Sequence, residues 1–348
     1  MQALLITVEQ VLRALPLFAT VFVLAFAARW LFQKSTRYCI DEELTERDNP
    51  AFGIAFSGYM VGVAIALSGA LYPWEGVAPL EEILSIALFG ILAAALMRLS
   101  LWINDRAILH TFSVEKELVT DHNAGTGFVV AGSSIATGFM LRGVLTGFST
   151  SLLTGLRDVA IYFLVGQAIL VAGGWVYTKF AGYDVHGEIG DRDNVAAGVS
   201  FGGYLAALGY IASVALTGAG SDWIDEVITS FVLAFFGIVL LVTARAIADV
   251  FLLPKSPLAK EVAVDRNVAA GAVAAASFIL VAVLFAASVN PGRLGSADPD
   301  LRIESGAPGL GAADPGALVP GDSAEEPAER PEPDPAPPGA PQSPGGAQ

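Results

Sequence analysis

Apolar blocks of roughly 20 residues recur along the chain, at about 15–33, 50–71, 83–103, 124–147, 159–178, 195–217, 227–248 and 268–289. A helix rising about 1.5 Å per residue needs about 20 such residues to cross a hydrocarbon core about 30 Å thick. Each block therefore predicts one transmembrane helix, and eight spans put both termini on one side. Short links at about 72–82, 148–158 and 218–226 alternate with longer, charged links at about 34–49, 104–123, 179–194 and 249–267.

Composition agrees with this reading. Of 348 residues, 54% are hydrophobic and 15% charged, and the mean hydropathy is +0.61. A soluble domain carries about 25% charged residues. The fold class expected is all-α, a polytopic membrane protein. The net charge of −15 is partly local, because residues 291–348 hold ten Asp/Glu against three Lys/Arg, and 13 of the 19 prolines. That acidic, Pro-rich tail buries too little apolar surface to offset its ordering entropy and is expected to be disordered. No basic patch suggests nucleic acid. The one cysteine, Cys39, excludes an intrachain disulfide.

Orientation follows from the basic residues. The longer links and adjoining helix ends hold 13 of the 19 Lys/Arg, among them Arg47, Arg98, Lys116, Arg192, Arg245 and Lys260. The positive-inside rule places these links in the cytoplasm and both termini, tail included, outside.

The chain repeats itself. A shift of 145 lays Trp30 on Trp175, Tyr38 on Tyr183, Arg47 on Arg192 and Tyr59 on Tyr204. This makes 1–150 and 151–290 two four-span membrane repeats, and makes the first span a counterpart of the fifth rather than a cleaved signal. Within each half a finer repeat appears: Glu, Asn six residues later, Gly four after that. Its copies are Glu43/Asn49/Gly53, Glu117/Asn123/Gly127, Glu188/Asn194/Gly198 and Glu261/Asn267/Gly271. Each precedes an even-numbered span, so every two-span quarter has the same orientation. Such parallel repeats predict a two-fold or pseudo-four-fold arrangement about an axis along the membrane normal, with even spans near the axis.

The four Glu-x5-Asn-x3-Gly stretches, and Asp105 and Asp249 at the ends of the third and seventh spans, resemble the domain-of-unknown-function-350 family, the YjfL-like bacterial inner-membrane proteins, here as two tandem units. The resemblance implies a bacterial inner (plasma) membrane location. It implies no biochemical activity and supplies no catalytic residues. The acidic tail falls outside it.

Candidate chemistry gathers at the four motifs. Asn49, Asn123, Asn194 and Asn267 suit helix N-caps, or four amides at a cytoplasmic mouth. Gly53, Gly127, Gly198 and Gly271 suit close helix packing in lipid. Glu43, Glu117, Glu188 and Glu261 admit two readings: a cation-attracting ring, or ion pairs with Arg47, Lys116, Arg192 and Lys260. Asp48, Asp121, Asp193 and Asp265 complement helix dipoles. Arg98 with Asp105, and Arg245 with Asp249, suit interfacial ion pairs at span ends. The links after Asp105 and Asp249 mix apolar and basic residues, as interfacial segments do. His110, His122 and His186 lack metal-ligand spacing. No catalytic motif, cofactor fingerprint or metal set is present, so the expectation is a non-enzyme without cofactors.

The leading reading is a small transport or channel-like unit with an acidic cytoplasmic mouth; the alternative is a non-transporting membrane scaffold recruiting partners through its charged loops, and a membrane enzyme ranks third. Membrane lipid is the expected partner, with a homo-oligomer and a cytoplasmic protein partner left open. The even spans offer little polar lining beyond Ser57, Ser133, Ser134, Ser200 and Ser277, which favours the scaffold.

Overall fold

In the computed structural model, residues 2–71, 78–147, 151–216, 223–252 and 255–289 are described. They form ten α-helices: α1 Gln2–Lys34, α2 Pro50–Ala70, α3 Pro79–Ala107, α4 Val114–Val119, α5 Ala124–Leu145, α6 Leu152–Phe180, α7 Val195–Ala215, α8 Trp223–Ile247, α9 Leu258–Ala263 and α10 Val268–Ser288. Five-residue π-helical turns occupy Glu42–Glu46, Gly187–Asp191 and Ala248–Leu252. Eight of the helices are long and apolar enough to cross a membrane, so the chain is a multi-pass helical membrane protein. The acidic tail expected to be disordered lies outside the described residues.

The spans make two rows. In one, α2, α5, α7 and α10 pack in chain order. In the other, α3 lies against α2 and α5, α6 against α5 and α7, and α8 against α7 and α10, while α1 packs chiefly on α3. Burial follows: the α5 and α7 spans are 67% and 72% buried, against 11% for α1. Apolar surface turned outward on α1 (Phe18, Phe22, Phe26) and α8 (Phe235, Phe236) is what lipid contact requires.

The internal repeat is accurate to the side chain. Tyr59 donates to the Ala28 carbonyl at 3.4 Å, and its counterpart Tyr204 to the Gly173 carbonyl at 3.0 Å. The Tyr59 ring lies 4.9 Å from that of Phe32, and the Tyr204 ring 4.8 Å from that of Tyr177.

Small residues bring the first row together. A methyl group added at Gly127 would come 2.6 Å from the Ala51 carbonyl oxygen, and one at Gly271 2.5 Å from that of Ala196. Gly198 meets Gly125 in the same way. Gly53, at the end of the row, meets only a Leu44 side chain at 3.8 Å. The other end is bulkier. Where α2, α5 and α7 carry Gly58, Gly132 and Gly203 against the next helix's backbone, α10 carries exposed Ala276. Leu280, 58% exposed, stands where Gly62, Ala136 and Ala207 stand earlier. Among the described residues α10 is the last helix of this row.

Candidate functional site

The four motifs sit together at one end of the bundle, and each is a closed knot of hydrogen bonds. The Asn backbone N–H donates to the Glu carbonyl, at 3.0, 2.8, 2.9 and 2.8 Å in chain order. The Gly N–H donates to the Asn carbonyl, at 3.0, 3.1, 3.1 and 3.1 Å. The Asn Oδ1 accepts the helix-capping bond, from Phe52, Thr126, Ala197, and both Ala269 and Ala270. The Asn Nδ2 donates to the Glu Oε2, at 2.8, 2.8, 2.9 and 2.9 Å. This accounts for the spacing: Glu-x5-Asn-x3-Gly is the interval over which these bonds close. The turn requires the residue before each Asn to adopt a left-handed conformation. Asp48, His122, Asp193 and Arg266 have φ of 49°, 54°, 51° and 48°. With Asp, His and Arg all found at that position and glycine at none, the sequence carries no signal for it.

Each Asn has a second Nδ2 hydrogen, and in three of the four it stitches one quarter to the next. Asn49 donates to the Leu118 carbonyl at 2.8 Å, Asn123 to that of Ile189 at 2.6 Å, and Asn194 to that of Val262 at 2.9 Å. Each acceptor directly follows the next quarter's Glu. Asn267 has no following quarter and makes no equivalent bond among the described residues. The burial agrees. Glu43, Glu117 and Glu188 are 1%, 4% and 3% exposed, whereas Glu261 and Asn267 are half-buried.

The carboxylates differ in charge environment. Glu43 pairs with Arg47 at 2.8 Å, and Glu188 with Arg192. The same offset from Glu117 and Glu261 holds Asp121 and Asp265, and these take the lysines: Lys116–Asp121 at 2.5 Å and Lys260–Asp265 at 3.3 Å. The pairing expected from the sequence thus holds for the two arginines and is corrected for the two lysines. Burial without a cation in direct contact holds the Glu117 carboxyl above its usual range, despite the Asn123 hydrogen bond. Glu261, nearer to solvent, is held below its usual range by the hydrogen bond from Asn267. The hydrogen bond to Asp121 raises Lys116.

The span-end charges do not form the expected pairs. Arg98 donates from Nε to Ser35 Oγ at 2.5 Å and from Nη2 to the Ser35 carbonyl at 3.2 Å. Arg245 donates to the Phe180 carbonyl. Asp249 accepts from the Leu258 N–H at 2.5 Å, starting α9. The physical reason is competition: the exposed carbonyls at the ends of α1 and α6 are nearer acceptors than a carboxylate on the same helix. The mixed links become the short helices α4 and α9, which carry Glu117 and Glu261. Nothing in the spacing of His110 and His186 signals that they meet, with rings 5.1 Å apart.

Beside the first two motifs lies a cavity of about 350 Å³, bounded by the ends of α1 and α3 and by α2, α4 and α5. Tyr38 and Arg98 lie on its wall. Burial pushes the Tyr38 hydroxyl up to about 12.

Taken together, the two rows of spans and the four capping knots, three of them stitched to the next quarter, define a membrane protein built of tandem parallel repeats. The Domain of Unknown Function (DUF350) family matches residues 6–145 and again 151–289. The chain belongs to that family, with two units in tandem. No curated protein and no solved structure matches it.

Proposed function

We propose that this protein is a non-transporting membrane scaffold, catalysing no reaction, with its motif-bearing end in the cytoplasm of a bacterial cell and its termini outside. One observation carries the reading: the Glu and Asn side chains that could line a permeation mouth are spent on one another, and three of the four Asn also tie one quarter to the next. Three of the four carboxylates are buried, and all four accept from their own Asn. The close approach of α2, α5, α7 and α10, with Gly127, Gly198 and Gly271 against neighbouring backbone, leaves a row rather than a lined channel. The charged surface left free at this end, including Arg266, Asp191 and Glu115, is what a cytoplasmic partner would meet.

The test is ion and small-solute flux in proteoliposomes of the full chain, wild type beside the quadruple Glu→Gln variant, with thermal unfolding of both. The scaffold reading expects no flux in either and a lower unfolding temperature in the variant. Flux in the wild type that falls in the variant sinks it.

A further inference from the structure

The two halves of this chain solve the same packing problem differently. In the second half, Tyr177 Oη lies 2.8 Å from Ser200 Oγ and 3.1 Å from Tyr183 Oη, three hydroxyls that satisfy one another. The repeat places Phe32, Ala55 and Tyr38 at the equivalent positions of the first half. Two of the three hydroxyls are gone, and all three residues line the 350 Å³ cavity. The Tyr38 hydroxyl makes no hydrogen bond to a described residue.

The same wall carries a net positive charge. Arg98 lies near the motif end of α3, over the Phe32 ring at 5.6 Å. Its hydrogen bonds are both to Ser35, a neutral residue, and it forms no ion pair with a described carboxylate. Around the cavity, Arg37, Arg98 and Arg106 outnumber Asp105 and Glu115. Asn104, also on the wall, is 4% exposed with neither amide atom hydrogen-bonded; the second half has Ala248 there. A buried amide without partners is costly. The first half has kept polar groups beside open space, where in the second half the corresponding hydroxyls satisfy one another.

We propose that this cavity binds a phosphate group, either free or as the headgroup of an anionic phospholipid. Arg98 supplies the charge through its unused Nη1 and Tyr38 a hydroxyl donor, while the unpartnered Asn104 amide lies buried in the wall. Guanidinium is the side chain best matched to phosphate oxygens, and the volume lies in the range of small-molecule sites, about 300–1,000 Å³. Phe32, Phe52 and Leu101 offer an apolar wall to the glycerol and acyl part of such a lipid. The second half, with its hydroxyl cluster in place, binds none.

The full chain in detergent is titrated with inorganic phosphate by calorimetry, and with phosphatidylglycerol and phosphatidylcholine by native mass spectrometry. Two variants accompany it. Arg98→Gln removes the charge. Phe32→Tyr with Ala55→Ser installs the second half's own filling, an arrangement this fold already accommodates. The wild type is expected to bind one equivalent, and both variants to bind at least tenfold more weakly. Binding of inorganic phosphate identifies a free ligand; saturable binding of phosphatidylglycerol alone identifies a headgroup. No binding by the wild type, equal binding of the two lipids, or binding unchanged in either variant overturns the site.

Discussion

The side chain of Asn123 donates to the backbone carbonyl of Ile189, 66 residues away, at 2.6 Å. A cap residue that would ordinarily serve only its own helix thereby fixes the next quarter in place. Three of the four quarters are tied to their successors in this way.

Replacing these asparagines should have unequal effects. Asn123→Ala removes a cap, a hydrogen bond to Glu117 and the tie to Ile189, leaving buried groups unpaired. About 3 kcal/mol of destabilisation is expected, from about 1 kcal/mol for a cap and 1–3 kcal/mol for an unsatisfied buried group. Asn267→Ala, at the open end, should cost about 1 kcal/mol. Denaturant titration of the two variants in the same detergent checks this; equal losses would mean that the ties between quarters contribute nothing.

The glycines divide along the same line. Gly198→Ala forces a methyl group into the α5 backbone, so a loss of about 1–3 kcal/mol is expected. Gly53→Ala meets only a leucine side chain at 3.8 Å, and gains about 0.5–1 kcal/mol of helix propensity. Thermal unfolding should therefore move in opposite directions for the two.

Glu117 should make stability pH-dependent. Its carboxyl is held above its ordinary value by burial, so the folded state binds a proton more readily than the unfolded chain. The stability from this group is complete below the unfolded carboxylate value, about 4.3, and is lost as pH rises through the folded one. Glu117→Gln should abolish that part of the decline. Unfolding midpoints between pH 4 and 7 that fall equally in both proteins would contradict it.

The left-handed residue before each Asn offers a stabilising change. Arg266 has φ 48° and is exposed. Arg266→Gly relieves a conformation that costs a side-chain-bearing residue about 1–2 kcal/mol, while glycine's unfolded-state entropy takes back up to about 1 kcal/mol. A net rise in unfolding temperature of a few degrees or less is expected; a fall would show that the turn holds no strain.

Much of the fold was legible in the sequence because it is local. Spans reveal themselves by length and apolar content. Asn49 and its counterparts announce caps because an Asn before an apolar run has few other uses. The features that escaped are non-local or depend on a single offset. Lys116 sits beside Glu117 in sequence, yet the helix of α4 turns it toward Asp121. Arg98 and Asp105 share a helix face, yet the end of α1 supplies a nearer acceptor.

Hydrophobic periodicity and internal repetition alone determined eight parallel-repeat spans in two tandem units, since membrane crossing depends on the apolar length of each segment by itself. Only the tertiary structure decided that α2, α5, α7 and α10 stand in a row, that three of the four Glu–Asn pairs are buried and tie one quarter to the next, and that a cavity lies beside the first two motifs. Those outcomes depend on contacts between residues some 65–70 positions apart and on the presence or absence of single methyl and hydroxyl groups, and such contacts exist only once the helices have been brought together.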